Sequence, residues 1–323
     1  GVMVSHQNPS EYLKNKSSYF KPKTKLRFAH ISEITFDPSI FDIFVCWTHA
    51  GTVVPFNKNS YRINPFNFFL NNKKINVIFS LPSFMNSILE ASDNEKSTCL
   101  KYLKYLIFTG EPIPKNLTNK IYKKFKDIEI YNAYGTTETS IISNWNFVNK
   151  KLSKNEKISI GKVLPNIKYC LIDENNTPNQ NKGEICFSGE QISNGYWNNE
   201  YLNEKHFIRL SNDGKYHTTY YKTGDIVKKD RNGNLYLDGR ADNQVKIKGY
   251  RIELEEIENN LNSLDDIKNI IALTYLENQK KKLFFFIHID SKNDLKQIEI
   301  NINNYIKNNF PFYMVPSSIY YLK

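Results

Sequence analysis

The sequence predicts an α/β protein with a region of largely parallel sheet, then a region of antiparallel strands, then a small α+β domain. In the first two-thirds of the chain, short apolar or β-branched runs alternate with helical patterns, as they do in βαβ units. From about residue 158 the strands are separated by turn residues, and the pattern changes again near Gly239. The chain has 323 residues, enough for about two domains of roughly 100–200 residues each.

The parallel region contains three apolar runs and two helical patterns. We expect buried strands at residues 75–79, 103–109 and 128–131. We expect helices at residues 82–91 and 114–125, each beginning at a proline, a residue suited to the first helical turn. Helices that connect strands in this way favour parallel strand order.

The remaining segments predict antiparallel strands and then a separate small domain. Asn232-Gly233 predicts a hairpin with a tight two-residue turn, because this pair tolerates the positive φ that such turns need. Beyond Gly239 we expect a strand, a helix, a two-stranded hairpin and a second helix, at residues 244–247, 253–264, 270–275 with 283–288, and 295–308. We therefore place the domains at residues 1–238 and 239–323.

Composition excludes several classes of protein. Hydrophobic residues make up 40% of the chain and aromatic residues 14%, which disordered chains do not reach. No apolar run approaches the roughly 18–20 residues needed to cross a bilayer, and the first residues carry no secretory signal pattern. The four cysteines have no CxxC spacing, which favours a reducing, cytoplasmic location.

The net charge of +11 raises the question of a polyanionic partner. The lysines lie in short scattered clusters, such as Lys21, Lys23 and Lys25, and clusters of this kind are usually solvated surface. We therefore expect a monomer with no nucleic-acid and no membrane partner. A nucleic-acid binder is kept as an alternative that the charge alone suggests.

The most informative segment is residues 131–139, with the sequence YNAYGTTET. It follows a predicted buried strand, so it emerges at the carboxyl edge of the sheet, where open α/β sheets bind ligands. Thr136 and Thr137 can donate to phosphate oxygens, and Glu138 is a hard oxygen ligand suited to Mg²⁺. Taken alone, such a turn is more often a helix cap with an acid in the first turn.

Two further polar segments follow. Asp225 ends the segment 221–225 (YKTGD), where it can accept hydrogen bonds from a ribose diol or bond its own backbone as an Asx turn. Residues 239–253 (GRADNQVKIKGYRIE) are dense in charge where the predicted domains join. Taken alone, they indicate a polar linker with a solvated strand.

Together and in this order, the three segments resemble those of the adenylate-forming (AMP-binding) enzymes. The resemblance is specifically to amino-acid adenylation domains of nonribosomal peptide synthetases and to D-alanine–carrier-protein ligases. Five further matches extend it along nearly the whole chain, at residues 1–8 (GVMVSHQN), 36–44 (FDPSIFDIF), 106–111 (LIFTGE), 183–189 (GEICFSG) with 194–196 (NGY), and 311–316 (PFYMVP). In fold, the resemblance implies a large domain with mostly parallel sheet layers plus a small β-barrel-like part, followed by a small α+β domain.

In activity, the resemblance implies ATP-dependent formation of an aminoacyl-adenylate, release of pyrophosphate, and transfer to the phosphopantetheine thiol of a carrier protein. By position, Thr137 contacts phosphate and Glu138 holds Mg²⁺. Asp242 is the implied hinge of the small domain, and Gly249 the implied point of entry for the carrier's arm. The implied nucleotide-binding residues are Asn132 and Tyr134 at the adenine, Tyr134 by stacking, Gly135 and Thr136 in the turn, and Asp225 and Arg240 at the ribose.

Asp37 indicates the substrate class. The matching aspartate pairs with the α-ammonium of an amino acid, and a buried carboxylate without a cation would be costly. The structural alternative is that Asp37 and Ser39 form a capping turn before a helix at residues 40–49. The rest of the implied pocket favours a small or apolar amino acid and consists of Pro38, Phe41, Phe79, Ile107, Thr109, Ala133, Ile141 and Ile142.

The sequence also departs from the family pattern. The glycine-rich phosphate loop is expected upstream of Gly1 and the catalytic lysine after Lys323, so we expect a fragment in which adenylation is impaired. Glu255 stands where the family usually has Gly, which calls the start of the following helix into question. Two alternatives to the amino-acid ligase stay open: an acyl-CoA synthetase, and a non-catalytic binding module.

Overall fold

The computed structural model describes residues 1–14, 20–22, 25–56, 66, 68–69, 74–94, 100–148, 157–211, 216–247, 249–264, 266–277, 280–289 and 295–322. The chain divides into two compact units, Gly1–Ala241 and Asp242–Lys323. The extents predicted for the two functional domains, with a boundary between residues 238 and 239, stay a prediction.

The first unit contains a mixed sheet with the strand order β2-β1-β3-β4-β5-β6-β7. Neighbouring strands from β2 to β5 pair in parallel, and β6 and β7 pair antiparallel. The predicted parallel region is therefore confirmed. The strands are β1 Arg27–His30, β2 Thr52–Pro55, β3 Val77–Ser80, β4 Tyr105–Phe108, β5 Glu129–Tyr134, β6 Asn144–Phe147 and β7 Lys162–Val163.

The central strands of this sheet are buried on both faces. Every residue of β3 and β4 is buried, so these strands are continuous apolar runs without polar alternation. Phe79 and Ile107 belong to the apolar cluster on one face. Ile78 and Leu106 belong to the cluster on the other.

Helix α1 Gln7–Lys14 precedes β1, and two further helices connect strands of the sheet. They are α2 Pro82–Asn94, between β3 and β4, and α3 Lys115–Lys124, between β4 and β5, and both confirm predicted helices. The helix predicted at residues 40–49 begins earlier, at Pro38, and is not α-helical throughout. A π-helical stretch, Phe41–Val45, lies between two short α-helical stretches, Pro38–Ile40 and Cys46–Thr48. Single π turns of this kind are common at functional sites.

A second, antiparallel sheet completes the first unit, with the order β11-β12-β10-β8-β9 and with β13 paired to β12. It lies where the resemblance implied a barrel-like sheet, and it confirms the predicted antiparallel region. Helix α4 Glu200–His206 precedes β11. The strands are β8 Lys168–Ile172, β9 Pro178–Asn179, β10 Lys182–Ser188, β11 Phe207–Ser211, β12 His217–Lys229 and β13 Leu235–Arg240.

The hairpin between β12 and β13 has a longer loop than the sequence predicts. The Asp230 carboxylate accepts hydrogen bonds from the N–H groups of Asn232 and Asn234, at 2.9 and 2.8 Å. Gly233 takes a left-handed conformation with φ of +81°. The tight two-residue turn predicted at Asn232-Gly233 is therefore wrong, because the Asp230 side chain organises a wider loop.

The second unit is a small α+β fold, as predicted. β16 and β17 form an antiparallel hairpin, and β18 adds to β17 in parallel. Glu255 lies in the first turn of α5, where a negative charge favours the helix dipole, so its presence is compatible with the helix start. The elements are β14 Val245–Ile247, β15 Tyr250–Ile252, α5 Leu254–Asn262, β16 Ile267–Glu277, β17 Lys280–Ile289, α6 Leu295–Asn309 and β18 Ser318–Leu322.

Across the described residues of both units, no helix is long and apolar enough to span a membrane.

Asp42 is a fully buried carboxyl group inside the π-helical stretch. Its Oδ2 accepts hydrogen bonds from the N–H groups of Ile31 and Ser32, each at 3.1 Å, and so holds the chain that leaves β1. Its Oδ1 is buried and has no hydrogen-bond partner among the residues that the structure describes. Burial raises the pKa of Asp42 from 3.8 to about 8.

We predict that Asp42→Asn stabilises the fold increasingly as pH rises. The unfolded chain ionises this carboxyl near its ordinary pKa of 3.8 and the folded chain only near 8, so folded wild-type protein loses stability between these values. Asparagine keeps an acceptor and removes the charge. Urea unfolding should show a gain of about 0.5 kcal/mol or less at pH 4 and a gain several times larger at pH 8.

Asp173→Asn is the matched control. Asp173 also accepts two backbone hydrogen bonds, from Asn175 and Thr177, but it is exposed. A gain for Asp42→Asn that is equal at pH 4 and pH 8, or shared by Asp173→Asn, would contradict the buried-charge explanation.

Candidate functional site

The chain forms a short polar turn where β5 ends. Thr137–Thr139 is a single 3-10 turn with Thr136 at its N-cap position, and Thr139 Oγ1 both accepts from the N–H of Thr136 and donates to its carbonyl, at 3.0 Å each. The local structure is thus the helix cap that the residues alone suggested. However, the buried Thr136 hydroxyl donates to no acceptor among the residues that the structure describes. A buried hydroxyl that cannot donate is costly, so its presence points to a ligand.

The backbone after this turn is strained. Ser140 and Ile141 have φ of +52° and +85°, in the left-handed region that a β-branched residue such as Ile141 strongly disfavours. Gly135 allows the strained segment to pack closely, because a Cβ at this position would lie 2.1 Å from the Ile141 carbonyl oxygen. Strain of this kind persists only where the surrounding structure enforces it.

Gln191 enforces this conformation, and the sequence analysis missed it. Its Nε2 donates to the carbonyl oxygens of Thr139 and Ile142, at 2.7 and 2.6 Å, while Ser140 Oγ donates to the Gln191 carbonyl at 2.8 Å. The side chain is only 1% exposed. Its one sequence signal was its position between two matched segments, GEICFSG and NGY.

Glu138 is buried and is oriented by a tyrosine. Tyr196 donates its hydroxyl to Glu138 Oε1 at 2.7 Å, and the N–H of Ser193 donates to the Glu138 carbonyl at 2.8 Å. Asn203 fixes Tyr196 by accepting from its N–H and donating to its carbonyl, at 2.7 and 3.0 Å. Tyr196 was matched as part of NGY but was given no role. Thr137, the other predicted catalytic residue, is half-buried in the same turn.

Three predicted nucleotide residues meet at one carboxylate. Arg240 Nη1 donates to Asp225 Oδ1 and the Tyr134 hydroxyl to Asp225 Oδ2, both at 2.6 Å. Burial, together with the adjacent Asp225 carboxylate, raises the pKa of Tyr134 well above its ordinary value, so the phenol stays a neutral donor. Tyr134 is 6% exposed, and stacking of its ring on adenine stays a prediction.

Asn132 lies on β5 two residues before Tyr134. Its Nδ2 donates to the Ser159 carbonyl at 2.8 Å, and the residue is buried. The amide thus ties β5 to the segment that follows β6, and the role expected of it at the adenine also stays a prediction.

Six of the eight residues predicted to line the substrate pocket with Asp37 belong to one large apolar core cluster, and the pocket itself stays a prediction. The rings of Phe41 and Phe79 stack with centroids 4.4 Å apart. Pro38 and Thr109 are half-buried. The pocket residues that share the apolar cluster on one face of the first sheet are Phe41, Phe79, Ile107, Ala133, Ile141 and Ile142.

Asp37 is half-buried at the N-cap position of the helical stretch. Its side chain makes no capping hydrogen bond, and Ser39 Oγ donates backward to the Ile34 carbonyl at 3.3 Å. The capping alternative for Asp37 and Ser39 is therefore wrong, because neither side chain bonds the N–H groups of the first helical turn. The role of Asp37 as an ammonium partner stays a prediction.

The two predicted residues of the carrier-transfer step lie in the second unit. Asp242 is its first residue, and its Oδ1 accepts from the N–H of Gln244 at 3.2 Å. Gly249 lies between β14 and β15 with φ of +81°, a conformation that favours glycine.

Comparison with known proteins identifies the family. A family model described as AMP-binding enzyme matches residues 1–197, which is more than half of the chain. The chain therefore belongs to the AMP-binding enzyme family. This confirms the resemblance derived from the sequence.

Curated relatives agree with this membership. The D-alanine–D-alanyl carrier protein ligase of Listeria innocua is 30% identical over 331 residues, covering 98% of this chain and 62% of the relative. Bacitracin synthase 1 of Bacillus licheniformis is 29% identical over 334 residues, covering all of this chain and 6% of that protein. The chain thus spans less than two-thirds of the length of these relatives.

Solved structures share the fold. The crystal structure of IdnL1 aligns with this chain at a TM-score of 0.85 and 25% sequence identity, and the alignment covers 100% of this chain and 66% of that one. The Vibrio cholerae adenylation domain AlmE, solved in complex with glycyl-adenosine-5'-phosphate, is 22% identical with a TM-score of 0.83, over 100% of this chain and 60% of that one. These similarities confirm the predicted fold class.

We predict that Gln191→Met loosens the turn after β5. Methionine has a similar length but no donor, so two buried carbonyl oxygens lose their partners, at a cost of about 2 kcal/mol or more in unfolding free energy. Hydrogen exchange should accelerate at Ser140, Ile141 and Ile142. Gln297→Met, on the exposed side of α6, is the control and should change stability by about 0.5 kcal/mol or less. Unchanged exchange in Gln191→Met would contradict the clamping role.

Proposed function

We propose that the protein containing this chain activates an amino acid with ATP. The reaction would form an aminoacyl-adenylate, release pyrophosphate, and pass the aminoacyl group to the phosphopantetheine thiol of a carrier protein. The observation that carries this proposal is the arrangement at the end of β5: a buried Thr136 hydroxyl without an acceptor among the described residues, the oriented Glu138 carboxylate and the Tyr134–Asp225–Arg240 cluster. The carrier-protein ligase and peptide-synthetase relatives support it by their names.

ATP fits this group of residues. Thr136 offers a buried hydroxyl to a phosphate oxygen, and Gly135 and Thr137 supply the rest of the turn. Asp225 can accept ribose hydroxyls without releasing Tyr134 or Arg240, because a carboxylate has about four lone-pair sites. Asn132 and Tyr134 would then face the adenine.

Mg²⁺ also fits. Within the parts of the chain that the structure describes, no three His, Cys, Asp or Glu side chains gather to hold a metal. A site with one protein carboxylate, Glu138, is nevertheless ordinary for Mg²⁺, which prefers substrate phosphates and water as its other ligands. Bound there, Mg²⁺ would neutralise phosphate charge. Tyr196 would keep the Glu138 carboxylate in one orientation.

Asp37 would select the substrate by pairing with its α-ammonium group. The charge pair would form beside the apolar residues Phe41, Phe79 and Ile107, which exclude water from the carboxylate that attacks ATP. Displacement at phosphorus needs mostly positioning and charge neutralisation, and these are the roles assigned to the chain. Asp242 would act as the hinge between the two half-reactions, and Gly249 would admit the carrier's arm.

Amino-acid-dependent exchange of pyrophosphate into ATP tests the proposal directly. The full-length protein should catalyse exchange with one or a few small or apolar amino acids and not with fatty or aryl acids. If free coenzyme A accepted the acyl group as well as a carrier protein does, the protein would be an acyl-CoA synthetase instead. No pyrophosphate exchange with any of the acids tested would indicate a non-catalytic binding module.

We predict that Asp37→Asn reduces kcat/KM for the amino acid about 30-fold or more in this exchange assay. The substrate ammonium would lose its charged partner, a loss worth about 2–5 kcal/mol for a pair shielded from water. KM for ATP should change little. Asp173→Asn is the exposed control and should exchange like wild type. Equal losses for amino acid and ATP would contradict the ammonium role.

We predict that Tyr196→Phe raises the Mg²⁺ concentration needed for half-maximal exchange by about 10-fold, the usual scale for losing a partner of a metal ligand. The fold should survive, which circular dichroism and urea unfolding would check. Tyr201→Phe, an exposed tyrosine on α4, is the control and should leave the Mg²⁺ requirement unchanged. An unchanged requirement in Tyr196→Phe would argue against Glu138 as the Mg²⁺ ligand.

A further inference from the structure

We propose that Cys170 and Cys186 form a dithiol site that a peroxide oxidises to a disulfide between two neighbouring strands. The described cysteines, Cys46, Cys170 and Cys186, are all free thiols. None has a role in the proposed adenylation reaction, so this modification is independent of that function.

Strand register brings the two thiols together. β8 and β10 pair antiparallel, and Cys170 lies directly opposite Cys186. Directly opposed residues of an antiparallel pair project from the same face of the sheet. Their Cα atoms lie about 4.5 or 5.5 Å apart, depending on the hydrogen-bonding position, and a disulfide requires about 4.4–6.8 Å. The bond can therefore form without separating or shifting the strands.

The surroundings make the two thiols unequal. They share a small apolar cluster with Ile172 and Tyr220, in which Cys186 is fully buried while Cys170 is half-buried. The Glu184 carboxylate and the Lys222 ammonium, the charged groups that act on Cys186, form an ion pair with each other at 3.5 Å. Cys170 is therefore the thiol that a small oxidant reaches first.

The environment of the two thiols favours the same order of reaction. Cys186 Sγ donates to the Glu184 carbonyl at 3.7 Å, and the adjacent Cys186 thiol lowers the pKa of Cys170. The adjacent Cys170 thiol and burial raise the pKa of Cys186, so Cys186 keeps its proton. Thiolate character and access are the two properties that make a cysteine react with peroxide.

The reaction balances with hydrogen peroxide as the oxidant. The Cys170 thiolate attacks one peroxide oxygen and the O–O bond breaks. The leaving hydroxide takes up the proton that the Cys170 thiol had released, so sulfenic acid and water form. The Cys186 sulfur then attacks the Cys170 sulfur, its proton passes to the departing hydroxyl, and a second water leaves. Two thiols have been oxidised, and both peroxide oxygens have been reduced to water.

Cys46 provides an internal comparison. It is fully buried, and burial raises its pKa to about 11, so both conditions for reaction with peroxide are missing. Cys99 lies outside the described residues, and the test therefore uses Cys99→Ser as its background.

The experiment treats the full-length Cys99→Ser protein with hydrogen peroxide and maps its peptides without reduction. We expect the loss of two hydrogen atoms from the intact chain, a cross-linked peptide pair containing Cys170 and Cys186, and recovery of both thiols with dithiothreitol. Cys46 should keep its free thiol. The oxidised chain should also unfold at a higher urea concentration, since the bond closes a loop.

Two variants separate the roles of the thiols. Cys186→Ser should stop at the sulfenic acid of Cys170, which a dimedone label would trap, and Cys170→Ser should leave Cys186 unoxidised. Should either variant fail to fold, the peptide map of the Cys99→Ser protein still shows whether Cys170 and Cys186 become cross-linked. Stable oxygen addition at Cys170 without a cross-link, a disulfide between two chains, or oxidation of Cys46 in preference to Cys170 would overturn the proposal.

Discussion

The site of the first unit depends on the hydrogen bonds that the Asp225 carboxylate accepts, because these bonds join the two sheets. Tyr134 reaches it from the end of β5 in the mixed sheet, and Arg240 reaches it from β13 in the antiparallel sheet. Buried charge is tolerated only when it is paired and hydrogen-bonded, and here each carboxylate oxygen has a strong partner. The relative position of the two sheets is therefore fixed at the point where the nucleotide is proposed to bind.

Buried polar side chains also hold the turn after β5 in place. Gln191 and Tyr196 satisfy groups that would otherwise be buried without partners, and they hold Ile141 and Glu138 in fixed positions. The buried Thr136 hydroxyl, by contrast, donates to no acceptor among the described residues. A rigid framework that leaves this donor to a ligand is what a preorganised site requires.

The parts of the fold that follow from local pattern could be predicted. Strands β3 and β4 are buried on both faces, so each one is a continuous apolar run in the sequence, and such a run is enough to predict where the strand lies. The loop at Asp230 could not be predicted, because one side chain outweighed the Asn-Gly preference for a tight turn. Gln191 and Tyr196 were missed because they act on residues 49 to 58 positions earlier in the chain. Such contacts leave no periodic trace in one sequence.

The most direct test of the central claim is a crystal structure of the full-length protein with a non-hydrolysable aminoacyl-adenylate analogue. We expect the ribose hydroxyls on Asp225, a phosphate oxygen on the Thr136 hydroxyl, and the ammonium group on Asp37. An analogue bound with Asp225 and Thr136 both out of contact would contradict the assignment of the nucleotide site to the end of β5.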